Sequence, residues 1–138
     1  MKVGYTQGTY DMFHIGHLNL LKHAKEKCDY LIVGVNSDEL VKSYKHKPII
    51  SQEDRMAIVE AIKYVDKVVL CETLDKMDAW NKNNFDFVFI GSDWQGSQRW
   101  NDTEKALEAV NAKVIYLPYT DKISSTKIRE AILASDES

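Results

Sequence analysis

His14 and His17 stand three residues apart with Gly16 between them, and the segment Gly8-Thr9-Tyr10-Asp11 lies just upstream. Imidazoles at that spacing project from one side of a first helical turn, where they can donate hydrogen bonds to neighbouring oxygens of one phosphoryl group. A helix start adds unpaired backbone N–H groups and partial positive charge, and glycines let the backbone approach a bulky anion. The stretch from Thr9 to His17 therefore reads as a loop for the phosphates of a nucleoside triphosphate. Either histidine alone reads better as a core or capping residue; their joint placement is what points to phosphate. Zinc is disfavoured, because neither Cys28 nor Cys71 stands at a ligand spacing, and no metal site built by the protein is expected. A dinucleotide fold is disfavoured as well, since no GxGxxG occurs.

Further candidates lie downstream. Lys45, His46 and Lys47 form a basic loop before Pro48, able to fold over a triphosphate as counter-charge or simply to sit in solvent. Ser124, Ser125 and Thr126 open the last predicted helix, where hydroxyls serve both as caps and as phosphate ligands. Asp93 and Trp94 follow the fourth predicted strand and suit a base pocket, although Trp94 suits core packing equally. Asp11 reads as a loop brace or turn cap rather than as an acid or base.

The elements that must hold these residues alternate between short apolar runs and helix-period stretches. Val3 to Thr6 reads as a strand, and Ile15, Leu18, Leu21, Ala24 and Cys28 follow at helical spacing. Tyr30 to Val35 is apolar or small throughout, as a strand covered on both faces should be. A short helix near Glu39 to Tyr44 comes next, then a helix capped by Ser51 with Met56, Val59, Ala61 and Ile62 inward. Val68 to Cys71, Phe87 to Ile90 and Val114 to Leu117 read as strands, Thr73 to Asn83 as a weaker helix, and Ser92 to Asp102 as loop. Ala106, Leu107 and Val110 mark another helix, and a last one starts near Ser124 or Ser125. This order predicts a single α/β, Rossmann-like domain over 1–134, with a mostly parallel five-stranded sheet flanked by helices and ligands beyond the strands' carboxyl ends. Residues 135–138 read as a flexible C-terminal tail.

A formal charge of -3 over 138 residues gives no general attraction for nucleic acid or an anionic membrane, so an anion site has to be built locally. No apolar run is long enough to cross a bilayer as a helix, and the unpaired cysteines with no signal-peptide pattern point to a reduced, cytoplasmic setting.

Taken in order, Gly8-Thr9-Tyr10-Asp11, His14-Ile15-Gly16-His17, the Lys45 region with Arg55, Tyr64-Val65-Asp66, Gly91-Ser92-Asp93-Trp94 and Ile123-Ser124-Ser125-Thr126-Lys127 resemble the cytidylyltransferase family of HxGH nucleotidyltransferases. The likeness is greatest to bacterial members that act on glycerol 3-phosphate. The HxGH element alone is shared with adenylyltransferases; the combination with the serine-threonine segment points to CTP. The resemblance implies transfer of CMP from CTP to a small phosphorylated alcohol, glycerol 3-phosphate first among them, with Mg²⁺ bound on the CTP phosphates and a homodimer contacting through Arg55 to Tyr64. It implies catalytic roles for His14, His17 and Lys45. Nucleotide contacts fall to Thr9, Tyr10, His14, Gly16, His17, His46, Asp93, Trp94, Thr120, Ile123, Ser124, Ser125 and Thr126, with Tyr10 using backbone and hydroxyl. Acceptor contacts fall to Asp11, Lys45, Lys47 and Lys76. The chain departs from the family in carrying Tyr44 and His46 at two lysine positions, Tyr119 in place of an arginine and Lys122 in place of a glycine. A tyrosine cannot replace a guanidinium fork, so Lys122 or another cation compensates or the acceptor differs. Two other readings stay open: an ATP-dependent adenylyltransferase, and a catalytically idle nucleotide-binding module.

Overall fold

The computed structural model describes residues 1–118 and 125–137. Its elements run β1 (Val3–Gly8), α1 (Ile15–Glu26), β2 (Tyr30–Asn36), α2 (Asp38–Lys42), α3 (Gln52–Glu60), β3 (Lys67–Cys71), α4 (Lys76–Asn83), β4 (Phe87–Gly91), a short 3₁₀ turn (Ser92–Trp94), α5 (Gln98–Glu108), β5 (Lys113–Leu117) and α6 (Ser125–Glu137). The strands lie in the order β3-β2-β1-β4-β5 and every pairing is parallel. Chain direction across the sheet reverses between β1 and β4, so the crevice beyond their carboxyl ends is the topological switch point of an open α/β sheet.

Strand alternation sorts the core into two layers. Leu31, Val33 and Val35 of β2 join Phe89, Leu117 and the inner faces of α1 and α3 through Leu21, Ala24 and Val59. Ile32 points the other way, with Tyr5 and Val88, and packs against α4 and α5 through Ala79, Trp100 and Leu107. Both faces of the sheet are thus covered, as the unbroken apolar run of β2 requires.

Most boundaries shift by a residue or two, and three differ in kind from the sequence reading. The stretch expected as loop from Ser92 to Asp102 contains the 3₁₀ turn and the first turns of α5, capped by Ser97, whose hydroxyl accepts the Trp100 N–H at 3.3 Å. Trp100 and Leu107 lie seven positions apart on one face, a spacing that shows as helix only once Trp100 is known to be buried. The helix expected from Thr73 begins at Lys76, because Thr73 and Asp75 form its capping turn: Thr73 Oγ1 accepts the Asp75 N–H, and Asp75 accepts the Met77 N–H at 3.0 Å. The stretch read as tail from Ser135 is helical to Glu137, since nothing there breaks a helix already under way.

Candidate active site

A cavity of about 320 Å³ opens at the switch point, within the size range of small-ligand sites. Its floor is the carboxyl end of β1 and the following loop, from Gln7 to Asp11, and one wall is the start of α1, with His14, Gly16, His17 and Leu20. Ile90, Gly91, Asp93 and Trp94 at and just after the end of β4 also line it, together with Lys45, Pro118, Ser125 and Thr126. Trp94 is 46% exposed, which places its ring at the cavity rim and not in the core.

The two histidines hold each other. His14 is the N-cap of α1, and its Nδ1 accepts the Gly16 N–H at 3.1 Å; His17 Nδ1 accepts the His14 N–H, also at 3.1 Å. This reciprocal box satisfies two otherwise orphaned amides. It also fixes both tautomers, because a ring nitrogen that accepts from an N–H carries no proton in the neutral imidazole. The hydrogens therefore sit on both Nε2 atoms. The rings stack at 3.9 Å between centroids, and the His17 and Tyr10 rings meet in a T-shaped contact at 5.3 Å. Burial lowers the His17 pKa to about 3, with the neighbouring His14 and Lys45 adding to the effect against Asp11. Burial lowers that of His14 as well. At neutral pH the pair is thus two uncharged N–H donors, held in place before any anion arrives.

Beneath this cradle two charged side chains tie together segments distant in sequence. Asp11 accepts the N–H groups of Ile49 and Ile50 on its two carboxylate oxygens, each at 2.9 Å, and takes Arg129 of α6 at 3.2 Å. Its backbone carbonyl accepts the Ser125 hydroxyl. Arg55 of α3 is fully buried. It donates to the carbonyls of Thr9, Asn36 and Ile50 at 2.6, 2.8 and 2.9 Å, and pairs with Asp38 at 2.6 Å. The loop after β1, the end of β2 and the segment after Pro48 are thereby fixed to one another, which a guanidinium does with directed donors.

The profile of the family described as cytidylyltransferase-like matches residues 5–131. The chain belongs to the cytidylyltransferase-like family. It is 37% identical over 134 residues to glycerol-3-phosphate cytidylyltransferase of Bacillus subtilis (strain 168), covering 96% of this chain and 98% of that one. It is also 35% identical over 129 residues to FAD synthase of Archaeoglobus fulgidus, covering 91% and 93% of the two chains. Among solved structures, the lipopolysaccharide core biosynthesis protein from Thermoplasma volcanium GSS1 superposes with a TM-score of 0.77 at 24% identity, covering 88% of this chain and 99% of that chain, a likeness of fold. The chain is therefore a nucleotidyltransferase.

As a member of this family, the chain brings most of the sequence-selected residues to one cavity. Thr9, Tyr10, Asp11, His14, Gly16, His17, Lys45, Asp93, Trp94, Ser125 and Thr126 all line it. Five residues, Tyr10, Asp11, Lys76, His46 and Lys47, sit differently from what the roles implied by the resemblance would need, while Asp11 acts as the loop brace also read from the sequence. The Tyr10 hydroxyl is buried, so it is not available to a nucleotide, and Tyr10 serves the loop through a left-handed backbone (φ 56°) and its ring. The carboxylate of Asp11 is spent on amides and Arg129; it braces the loop, and its charge would repel an acceptor phosphate. Lys76 is buried outside the cavity, its ammonium on the Leu74 carbonyl at 2.8 Å and 5.6 Å from the centre of the Trp100 ring, and burial lowers its pKa to about 8. His46 and Lys47 are exposed and do not line the cavity, unlike Lys45. Thr120, Ile123 and Ser124, with Tyr119 and Lys122, lie outside the described residues. Sequence reasoning grouped Arg55 with the Lys45 region and missed its positioning role, together with Asp38 and Arg129. An arginine on a predicted inward helix face, four residues after a serine cap, was the available signal for Arg55.

Proposed function

We propose that this chain transfers CMP from CTP to glycerol 3-phosphate, giving a CDP-linked product and pyrophosphate. The observation that carries the proposal is the pair of imidazoles whose tautomers are fixed by backbone N–H groups, leaving both Nε2–H donors for a phosphate in the switch-point cavity. Near-full-length similarity to a protein named glycerol-3-phosphate cytidylyltransferase supports the choice of nucleotide and acceptor. An oxygen of the acceptor phosphate attacks the α-phosphorus of CTP; the bond from that phosphorus to the β-phosphate oxygen breaks, and pyrophosphate leaves with the electron pair. No protein nucleophile is needed, so catalysis is positioning and charge stabilisation. His14 and His17 donate to phosphate oxygens as charge moves toward the leaving group, and Lys45 supplies counter-charge. Asp93 and Trp94, which line the same cavity, take the base.

Among the described residues no group of three or more His, Cys, Asp or Glu side chains is arranged to hold a metal ion. Mg²⁺ belongs to the proposal as part of the substrate, carried on the triphosphate oxygens. The homodimer belongs to it too, with α3 through Tyr64 as contact; Ile58, 38% exposed on that helix, is an apolar side chain suited to such a face. Likeness to a protein named FAD synthase motivates a second reading, in which ATP is the donor, since FAD contains an adenylyl group. Incubation with each of CTP, ATP, GTP and UTP, Mg²⁺ and a set of phosphorylated acceptors, followed by assay of pyrophosphate and nucleotide-linked product, tests both. Release confined to CTP with glycerol 3-phosphate is the expected result. Release with ATP alone selects the second reading, and none with any pair removes the enzyme.

A further inference from the structure

A continuous chain of hydrogen bonds leads from the interior of the sheet to the basic loop, and the direction of each bond can be worked out in turn. Tyr5, fully buried, donates its phenolic hydrogen to Gln7 Oε1 at 2.8 Å. Its hydrogen being spent, Tyr5 accepts from the Cys71 thiol at 3.1 Å, a group that burial keeps protonated. Gln7 is thereby held with Nε2 toward Asn36 Oδ1 at 2.8 Å and the Thr73 carbonyl at 2.9 Å. Asn36, itself 4% exposed, must then turn its amide nitrogen outward. Both hydrogens of that nitrogen are used, one toward Thr9 Oγ1 at 3.4 Å and the other toward the Tyr44 hydroxyl at 3.2 Å.

Thr9 Oγ1 and the Tyr44 hydroxyl are 3.2 Å apart and also bond each other. Each oxygen already accepts from Asn36, so one hydroxyl hydrogen closes the triangle and the other is left over. Which one is left over depends on what stands in the cavity. Thr9 lines it and Tyr44 does not. An anion in the cavity draws the Thr9 hydrogen outward, and the bond between the two hydroxyls must then run from Tyr44 to Thr9. Tyr44 directly precedes Lys45, which does line the cavity.

We propose that Tyr44 is a positioning residue that docks the basic loop in response to phosphate: its phenol donates to Thr9 Oγ1, Thr9 donates to a phosphate oxygen, and Lys45 is held at that same phosphate. The proposal rests on the phosphate-binding role given to this cavity above. The phenol is 45% exposed, so its contribution comes from this geometry and not from burial.

The test is a double-mutant cycle of Tyr44→Phe and Lys45→Ala, read by titration calorimetry with two probes, CTP with Mg²⁺ and inorganic tripolyphosphate, beside the unfolding midpoint of each variant. Tyr44→Phe keeps the ring and removes both hydrogen bonds of the phenol, the one accepted from Asn36 and the one shared with Thr9; only the Thr9 bond lies on the route to the anion, so probe affinity falls about 5-fold in the native background. It changes little further once Lys45 is alanine, because the lost contact acts through that lysine. A midpoint that stays put while affinity falls separates docking from general stability. Equal losses in both backgrounds, or no loss in the native one, overturn the proposal. Tripolyphosphate separates the two levels of argument: if it binds and responds to the cycle while no nucleotide turns over, the transferase reading fails and Tyr44 keeps its role. If neither probe binds the native protein, both are refuted.

Discussion

The arrangement of His17 allows its structural and chemical roles to be separated by two substitutions. Its Nδ1 serves the fold by accepting the His14 N–H at 3.1 Å, while its Nε2 carries the hydrogen that the proposed mechanism directs to phosphate. In His17→Asn the amide oxygen takes the place of Nδ1 and nothing reaches the place of Nε2; in His17→Gln the amide nitrogen reaches toward Nε2 and the capping oxygen is lost. Removing one preorganised donor to developing phosphate charge costs roughly 100- to 1,000-fold in turnover, about 2.7–4 kcal/mol. Loss of a helix-capping bond costs only about 1 kcal/mol of stability. The asparagine variant should therefore unfold near the native midpoint and yet lose two to three orders of magnitude, by estimates of that kind, in CTP-dependent pyrophosphate release. The glutamine variant should show the opposite balance, with a lower midpoint and part of its turnover kept. Steady-state kinetics at saturating CTP and acceptor, with thermal unfolding of the same samples, measures both. Native turnover in His17→Asn would refute the donor role, and a collapse of stability in that variant would show that the ring acts mainly as packing.

Acid sensitivity follows from the same pair. The unfolded imidazole of His17 takes a proton below its ordinary 6.5, whereas the folded one does so only near 3, so the unfolded chain binds more protons between those values. Stability should be complete above about pH 6.5 and fall as pH drops toward 3; His17→Asn should flatten that slope, as thermal midpoints across the range will show, and an unchanged slope would contradict the assignment. Arg55→Met should be far more damaging than any surface change, because it leaves Asp38 and the carbonyls of Thr9, Asn36 and Ile50 without their donor. Breaking a buried charged pair of this kind costs about 3–5 kcal/mol. Urea unfolding measures it, and a loss below about 1 kcal/mol would show that the guanidinium is dispensable.

The chain itself determined the sheet, the loop after β1 and the paired histidines, because each is a local signal. Apolar runs covered on both faces give parallel strands, and glycines beside a helix start with two imidazoles on its first turn form a site from neighbours in sequence. The family resemblance drew on the order of such motifs along the chain. Only the tertiary structure decided what the polar side chains do with one another. Asp11, Arg55 and Lys76 carry charge, and nothing in their spacing says whether that charge meets a ligand or is consumed internally. Asp11 meets amides 38 and 39 positions away, and Arg55 a carbonyl 46 positions away. Lys76, an acceptor contact by the family resemblance, turns inward to the Leu74 carbonyl beside Trp100. Likewise Gly34 can be only a small residue, since a Cβ there would come within 2.5 Å of Cys71 Sγ and the Tyr5 hydroxyl, a constraint set by β1 and β3 on either side. Pairings over such separations arise when the sheet closes, and a hydrogen bond that forms only then leaves no periodicity in the sequence to announce it.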